Sequence, residues 1–283
     1  MSGGILITGA SSGIGAALTR RLSRAGFVVF GTIRKPADAA VVERDGGVPV
    51  VMDVTQDGTI AAARGAVEHS LAGRPLVALV NNAGIAVAGP LEHLPLGELR
   101  RVLETNVVGV IAVTQAFLPL LRRTPGRVVN ISSISGRMAL PFGGPYAASK
   151  FALEALSDSL RRELIPSGIK VVVVQPGSIL TPIWDKLAGI DLAHYRETSY
   201  APVLPRVLED ALRRGRGGLP ADRVATAVLR AVTDPNPPTR ILVVRRPLLT
   251  RVARLLPDRW IDRGVRKALW EKEPGGRPTR RKR

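Results

Sequence analysis

Ile5-Leu6-Ile7-Thr8-Gly9-Ala10-Ser11-Ser12-Gly13-Ile14-Gly15 is the stretch that decides the fold. A short apolar strand runs into a glycine-rich turn, and an amphipathic helix follows through about Ala25. Glycines let the backbone turn tightly and approach a pyrophosphate, and the helix start offers it free N–H donors. Set between strand and helix, the TGxxxGxG spacing predicts a dinucleotide-binding start. Thr8, Gly9, Ser11, Ser12, Gly13, Ile14 and Gly15 would surround the cofactor.

The alternation continues along the chain. Strand-like runs recur at 27–33, 48–52, 76–80, 127–131, 169–174 and 240–244, with helical segments between them, among them 96–121 and 221–232. This predicts an α/β, doubly wound parallel sheet covered on both faces, with its ligand across the carboxyl ends of the strands. The chain has 283 residues, 45% hydrophobic and only 4% aromatic, within reach of one large domain.

The second strand ends without the acidic residue that would bond the 2′-hydroxyl of NAD. Arg34 and Lys35 stand there instead. They are either a solvated basic turn or cations for a 2′-phosphate, and the placement favours NADP(H) over NAD(H). Asp53, followed by Val54, ends the third strand. Its carboxylate either accepts from the adenine amino group or caps the helix starting near Asp57. The fourth strand ends in Asn81-Asn82-Ala83-Gly84. Asn81 either braces the sheet or binds directly, and Gly84 lets the backbone pass close to the cofactor.

Tyr146-Ala147-Ala148-Ser149-Lys150 carries the chemistry. Residues four apart share one helix face, so the Lys150 ammonium is expected to lower the Tyr146 pKa. Alone, YxxxK also fits a surface helix. Ser133, thirteen residues upstream in a serine-rich turn, turns the pair into a candidate acid–base centre. Asn106 falls in an apolar helix face, where it holds a water or marks a kink. There is no Cys, hence no disulfide, thiolate catalysis or Cys-based metal site. His69, His93 and His194 lack metal-ligand spacing, so no metal is expected. Residues 178–220, broken by Pro182, Pro202 and Pro205, read as a substrate lid. Met138, Leu140 and Phe142, which follow Ser133, and the lid residues Trp184 and Leu187 are expected to line an apolar substrate pocket with Ser133 and Tyr146. The chain reads straight into a strand, with no secretory pattern and no apolar run of about 18 residues, so the expected location is cytoplasmic.

Over about residues 3–245 the chain resembles the short-chain dehydrogenase/reductase family. The matching residues are Thr8-Gly9 with Gly13 and Gly15, Asp53, Asn81-Asn82-Ala83-Gly84, Asn106, Ser133, Tyr146, Lys150, and Pro176-Gly177 with Thr181. The resemblance implies a single-domain Rossmann fold over 1–246 with seven strands in the order 3-2-1-4-5-6-7. It implies that Tyr146 exchanges a proton with the substrate oxygen and that Lys150 depresses its pKa and holds the nicotinamide ribose. Ser133 would bond the substrate oxygen, and Asn106 would hold a water linking Lys150 to solvent. Thr181 would fix the carboxamide, with Pro176, Gly177 and Ile179 beside it. Stretches 30–34, 136–142 and 146–156 look like the 17β-hydroxysteroid and retinol dehydrogenase branch, which implies NADP(H) and a lipophilic alcohol or carbonyl. The family's habit of pairing helices, here around 100–120 and 146–165, implies a homodimer or homotetramer. A catalytically idle NADP-binding or scaffold protein is the alternative.

Net charge is +18. Residues 245–283 hold 14 Lys and Arg against 4 Asp and Glu, and the rest of the chain 27 against 19, so more than half of the excess sits at the carboxyl end. No nucleic-acid recognition motif accompanies it. Within 247–273, Leu248, Leu249, Val252, Leu255, Leu256, Ile261, Val265, Leu269 and Trp270 recur at spacings of three and four among arginines. Pro257 splits this amphipathic helix in two. Its apolar face either packs on the enzyme over the substrate mouth or gives weak contact with an anionic membrane. Residues 274–283 are expected to be disordered.

Overall fold

The computed structural model describes residues 3–271; the disorder expected for 274–283 lies outside them. At its centre is β1 (Gly4–Ile7), buried along its whole length. Ile5 and Ile7 face one side of the sheet and Leu6 the other, the period-two alternation of a strand covered on both faces. Around it lie β2 (Val28–Ile33), β3 (Val48–Val51), β4 (Leu76–Asn81), β5 (Arg127–Ile131), β6 (Lys170–Pro176) and β7 (Arg240–Val243). All pairings are parallel and the order is β3-β2-β1-β4-β5-β6-β7. The order reverses between β1 and β4, so the connections leaving these two strands diverge and open a crevice at their carboxyl ends. Pro49, which cannot donate to a ladder, sits on the edge strand β3, after the short helix α2 (Ala39–Arg44).

Helices α1 (Gly13–Arg24) and α9 (Ala221–Thr233) cover one face, packing Leu18, Leu22, Val224 and Val228 on Ile5, Ile7, Val129 and Val172. On the other face, α3 (Asp57–Leu71) and α5 (Gly109–Arg122) pack Val67, Val113 and Phe117 on Leu6, Leu79, Val128 and Val171. Each fully buried side chain of this size contributes about 1.5–3 kcal/mol. Helix α6 (Gly144–Glu163) follows β5, and Pro145 in its first turn supplies the fixed φ a helix start accepts.

The helix expected at 96–121 is continuous but not regular. It runs as α4 (Leu96–Leu103), one π turn at Glu104–Val108, then α5. Asn106, read as holding a water or marking a kink, falls in this π turn. By length and composition the 27-residue helix could cross a membrane. Yet Val102, Asn106, Val110, Val113, Phe117, Leu120 and Leu121 are buried inside the domain, so it is a core helix of this fold. The segment read as a lid contains α7 (Ile183–Ala188) and α8 (Leu204–Arg216). Past β7, α10 (Pro247–Ala253) and α11 (Asp258–Leu269) flank Pro257, where the sequence splits the amphipathic pattern.

Candidate active site

The glycine-rich turn is held by its neighbours. The Thr8 hydroxyl accepts from the N–H groups of Asn82 and Ala83, each at 2.9 Å, and the Asn82 amide donates to the carbonyls of Thr8 (2.9 Å) and Gly9 (3.0 Å). A Cβ at Gly15 would collide with the Gly9 carbonyl oxygen, so only glycine lets α1 start this close. Thr8 and Gly15 therefore shape the turn from behind. The other residues expected at the phosphate end line a groove of about 630 Å³: Gly9, Ser11, Ser12, Gly13 and Ile14, with Asn82, Ala83, Gly84 and Thr181 opposite. Among the described residues no side chain caps α1, and its first turn holds no acid, so its free N–H groups and positive dipole end suit a phosphate.

Arg34 is exposed at the other end of the groove, beside Asp53 and Val54. The Asp53 carboxylate accepts from the Thr55 N–H (2.9 Å) and hydroxyl (2.8 Å). It does not cap α3, whose N-cap is Gln56; a local Asx turn competes for the same oxygen. Asn81 braces the sheet, donating to Thr114 (3.0 Å) and Asn130 (2.9 Å).

The groove opens into a cavity of about 280 Å³, which shares Ile14, Asn82, Gly84 and Thr181 with it. Ser133, Tyr146 and Lys150 line this cavity, together with Pro176, Gly177 and Ile179. Ser133, two residues past β5, caps the next 3-10 turn, accepting from the Ser135 N–H at 3.1 Å. Lys150 is buried; its Nζ donates to the Ile131 carbonyl at 2.9 Å and stands 5.7 Å from the Tyr146 ring centre. Burial lowers the Lys150 pKa to about 8, with Glu154 opposing. Burial also raises the Tyr146 pKa, with the Ser133 hydrogen bond opposing. The expected depression of Tyr146 by Lys150 is not seen here; desolvation of the phenolate is the largest effect.

Asn106 is fully buried and satisfied by protein groups. Its Oδ1 accepts from the Ile85 N–H (2.9 Å), and its Nδ2 donates to the Ile85 carbonyl (2.9 Å) and the Ser149 hydroxyl (3.0 Å). Ser149 in turn donates to the Tyr146 carbonyl at 2.7 Å. The sequence reading missed Ser149, although it stands three residues after Tyr146, on the ridge that faces the π turn. A Cβ at Gly84 would lie 3.1 Å from Asn106 Oδ1 and 3.8 Å from Lys150 Nζ, so this glycine brings the β4 end against both.

Of the five apolar residues expected in the pocket, Trp184 and Leu187 line it and Met138, Leu140 and Phe142 do not. The Phe142 ring turns instead to Tyr200 (5.7 Å between centroids) and Trp270 (6.5 Å). Ala86, Val87 and Ala88, just past Gly84, take their place; no motif marks them. Among the described residues no cluster of metal-ligating side chains occurs.

The family model described as short chain dehydrogenase matches residues 4–189. The chain belongs to that family. This dehydrogenase, an oxidoreductase by family, is 36% identical over 267 residues to an NADPH-dependent 3-dehydrocapnine reductase of Ornithobacterium rhinotracheale, covering 91% of this chain and 94% of the relative. It is 37% identical over 267 residues to a 3-ketodihydrosphingosine reductase of Bacteroides thetaiotaomicron, covering 93% and 96%. Retinol dehydrogenase 5 of Homo sapiens is 38% identical over 208 residues, covering 68% and 65%. Among solved structures, an actinorhodin polyketide ketoreductase with NADPH matches with a TM-score of 0.72 and 30% identity, covering 87% of this chain and 97% of that one.

Proposed function

We propose that this dehydrogenase uses NADPH to reduce a ketone on a lipid-like substrate. The observation that carries the reading is the convergence of Ser133, Tyr146 and Lys150 on an apolar cavity into which the phosphate-binding groove opens. Bound NADPH supplies the hydride. With its pKa raised, Tyr146 keeps its proton at neutral pH and gives it to the carbonyl oxygen, which suits reduction. Ser133 bonds that oxygen as charge develops on it. Lys150, charged below about pH 8, stabilises the phenolate left behind. Asn106 fixes α6 through Ser149. Thr181, Pro176, Gly177 and Ile179 hold the nicotinamide end, and Arg34 meets the 2′-phosphate. Two relatives that cover nine-tenths of the chain are named as reductases, one NADPH-dependent and one acting on 3-ketodihydrosphingosine, which supports a keto-lipid. Val108 and Phe151, exposed on the helices expected to pair, support a homo-oligomer.

Loss of NADPH absorbance with a long-chain keto base, a retinoid aldehyde, a steroid ketone and an aldose, each repeated with NADH, tests this. The keto base with NADPH is expected to exceed the aldose by at least about tenfold in kcat/KM, a difference of about 1.4 kcal/mol. Faster turnover of the sugar overturns the substrate class. Tight NADPH binding with no turnover of any carbonyl leaves the scaffold alternative.

A further inference from the structure

We propose that the outward face of the C-terminal helices docks on an anionic lipid bilayer, from which the lipid-like substrate enters the cavity. The partner deepens the substrate reading above and rests on it.

The inward face of this extension is already satisfied. Ile261, Val265 and Leu269, one per turn, are half-buried. The Arg254 guanidinium donates to Gln175 Oε1 at 3.0 Å, and Gln175 Nε2 donates to Glu154 on α6 at 2.8 Å. Arg206 of α8 donates to the Leu269 carbonyl at 2.6 Å. Of the apolar residues in that periodic pattern, Ile261, Val265 and Leu269 serve packing, with Trp270 against Phe142.

A second apolar set points away from the domain. Leu248 is 74% and Leu255 84% exposed, and Leu249, Val252 and Trp260 are each more than half exposed. Leu248 and Val252 stand one turn apart on α10, and Leu255 follows in the turn that ends it. A cluster this dense on a surface marks an interaction site. Arg245, Arg246, Arg251, Arg259 and Arg263 are exposed around it. Residues 245–271 hold 8 Lys and Arg against 3 Asp and Glu. Leucines and a tryptophan rimmed by arginines match acyl chains beneath anionic headgroups. A second copy of the chain would bring the same positive rim against this one, so charge disfavours self-pairing through this face.

The position of the extension connects it to the site. Trp270, just past α11, lies on Phe142, and the neighbouring Gly143 lines the cavity. Docking would hold that side of the cavity near the bilayer in which a lipid-like ketone dissolves.

The full chain is compared with two variants, Leu248→Ser/Leu255→Ser/Trp260→Ser and Arg251→Glu/Arg259→Glu/Arg263→Glu, on vesicles of phosphatidylglycerol with phosphatidylcholine and of phosphatidylcholine alone. The wild-type chain is expected to sediment with the anionic vesicles, to leave them at high salt, and to ignore the neutral ones. Each variant should partition at least about tenfold less. Turnover of a long-chain ketone carried in the vesicles should fall with partitioning, while turnover of a water-soluble short-chain ketone stays unchanged. Equal partitioning of wild type and both variants overturns the proposal. So does a loss of oligomeric mass in the apolar variant with no vesicle binding by wild type, which would make the face a contact between copies. If the wild type binds anionic vesicles but reduces neither ketone, docking stands and the substrate reading fails.

Discussion

At the carboxyl ends of β1, β4 and β5, polar side chains are buried and tied to one another. Thr8 and Asn82 clamp the glycine turn, Asn81 and Asn130 join the strands to α5 and α6, and Asn106 and Ser149 join the π turn to the catalytic helix. In α10 and α11 the reverse holds: large apolar side chains are exposed, and the attachment to the domain runs through a few residues. A buried polar network is costly when broken, because each orphaned group loses its hydrogen bond without regaining water. Among the described residues the extension has no such network on its outer face, and it can change there without disturbing the chemistry. Substitutions should therefore be severe at the strand ends and mild in the extension.

The largest effect is expected at Tyr146. Tyr146→Phe removes the proton donor and keeps the ring, so kcat should fall at least about a thousandfold, within the usual contribution of general acid catalysis. NADPH affinity should stay within about threefold of wild type. Single-turnover kinetics and a cofactor titration check both. More than a tenth of wild-type kcat, a barrier change under about 1.4 kcal/mol, would mean that Tyr146 is not the acid.

Next comes the charge on Lys150. Its pKa is lowered from 10.5 to about 8 by burial. Below that pH the ammonium is present and can stabilise the Tyr146 phenolate; as pH rises through it, the charge is lost. For reduction, kcat/KM for NADPH reports the free enzyme. It should be level through neutral pH and then fall, approaching tenfold per pH unit, above about pH 8. A profile level to pH 10 would show that the lysine charge is not needed.

The sequence made most of the strand-end region legible because its signals are local. The apolar runs, the TGxxxGxG turn and the four-residue spacing of Tyr146 and Lys150 each fix a short piece of backbone, and the sheet order follows from the alternation and the family resemblance. What it missed depends on groups far apart in the chain. Asn106 meets the Ile85 backbone and Ser149, partners that no local signal marks, because only the folded π turn brings them together. Met138, Leu140 and Phe142 follow Ser133 in sequence but do not line the cavity; the Phe142 ring meets Tyr200 and Trp270, and Val87 and Ala88 reach the cavity from the loop after β4. In the extension, three- and four-residue spacing revealed the helices and could not say which leucines face inward. Nothing in the spacing sets Arg254 apart from the other arginines, yet it is partly buried against Gln175.

Arg254 is where the two regions touch, and it should give the smallest effect. Its guanidinium reaches Gln175, but its Nε and Nη2 are buried with no hydrogen-bond partner among the described residues. Burial lowers its pKa, and the nearby Arg137 and Arg240 push the same way against Glu154. A desolvated cation crowded by like charges contributes little net stability, and an apolar residue of similar length can replace it. Arg254→Met is therefore expected to change stability by no more than about 1 kcal/mol, about 2–4 °C in Tm for a domain of this size. It should still be felt at the site. Glu154 supports the charge on Lys150, and Arg254 is a competing cation beside that carboxylate. Without it, the high-pH limb of kcat/KM should move upward, with kcat at neutral pH unchanged. Thermal melts and the pH profile of this variant read the two effects separately. A Tm loss well beyond that range would make the extension part of the domain's stability. A limb that stays in place would mean that Arg254 holds the extension on the fold without reaching the chemistry.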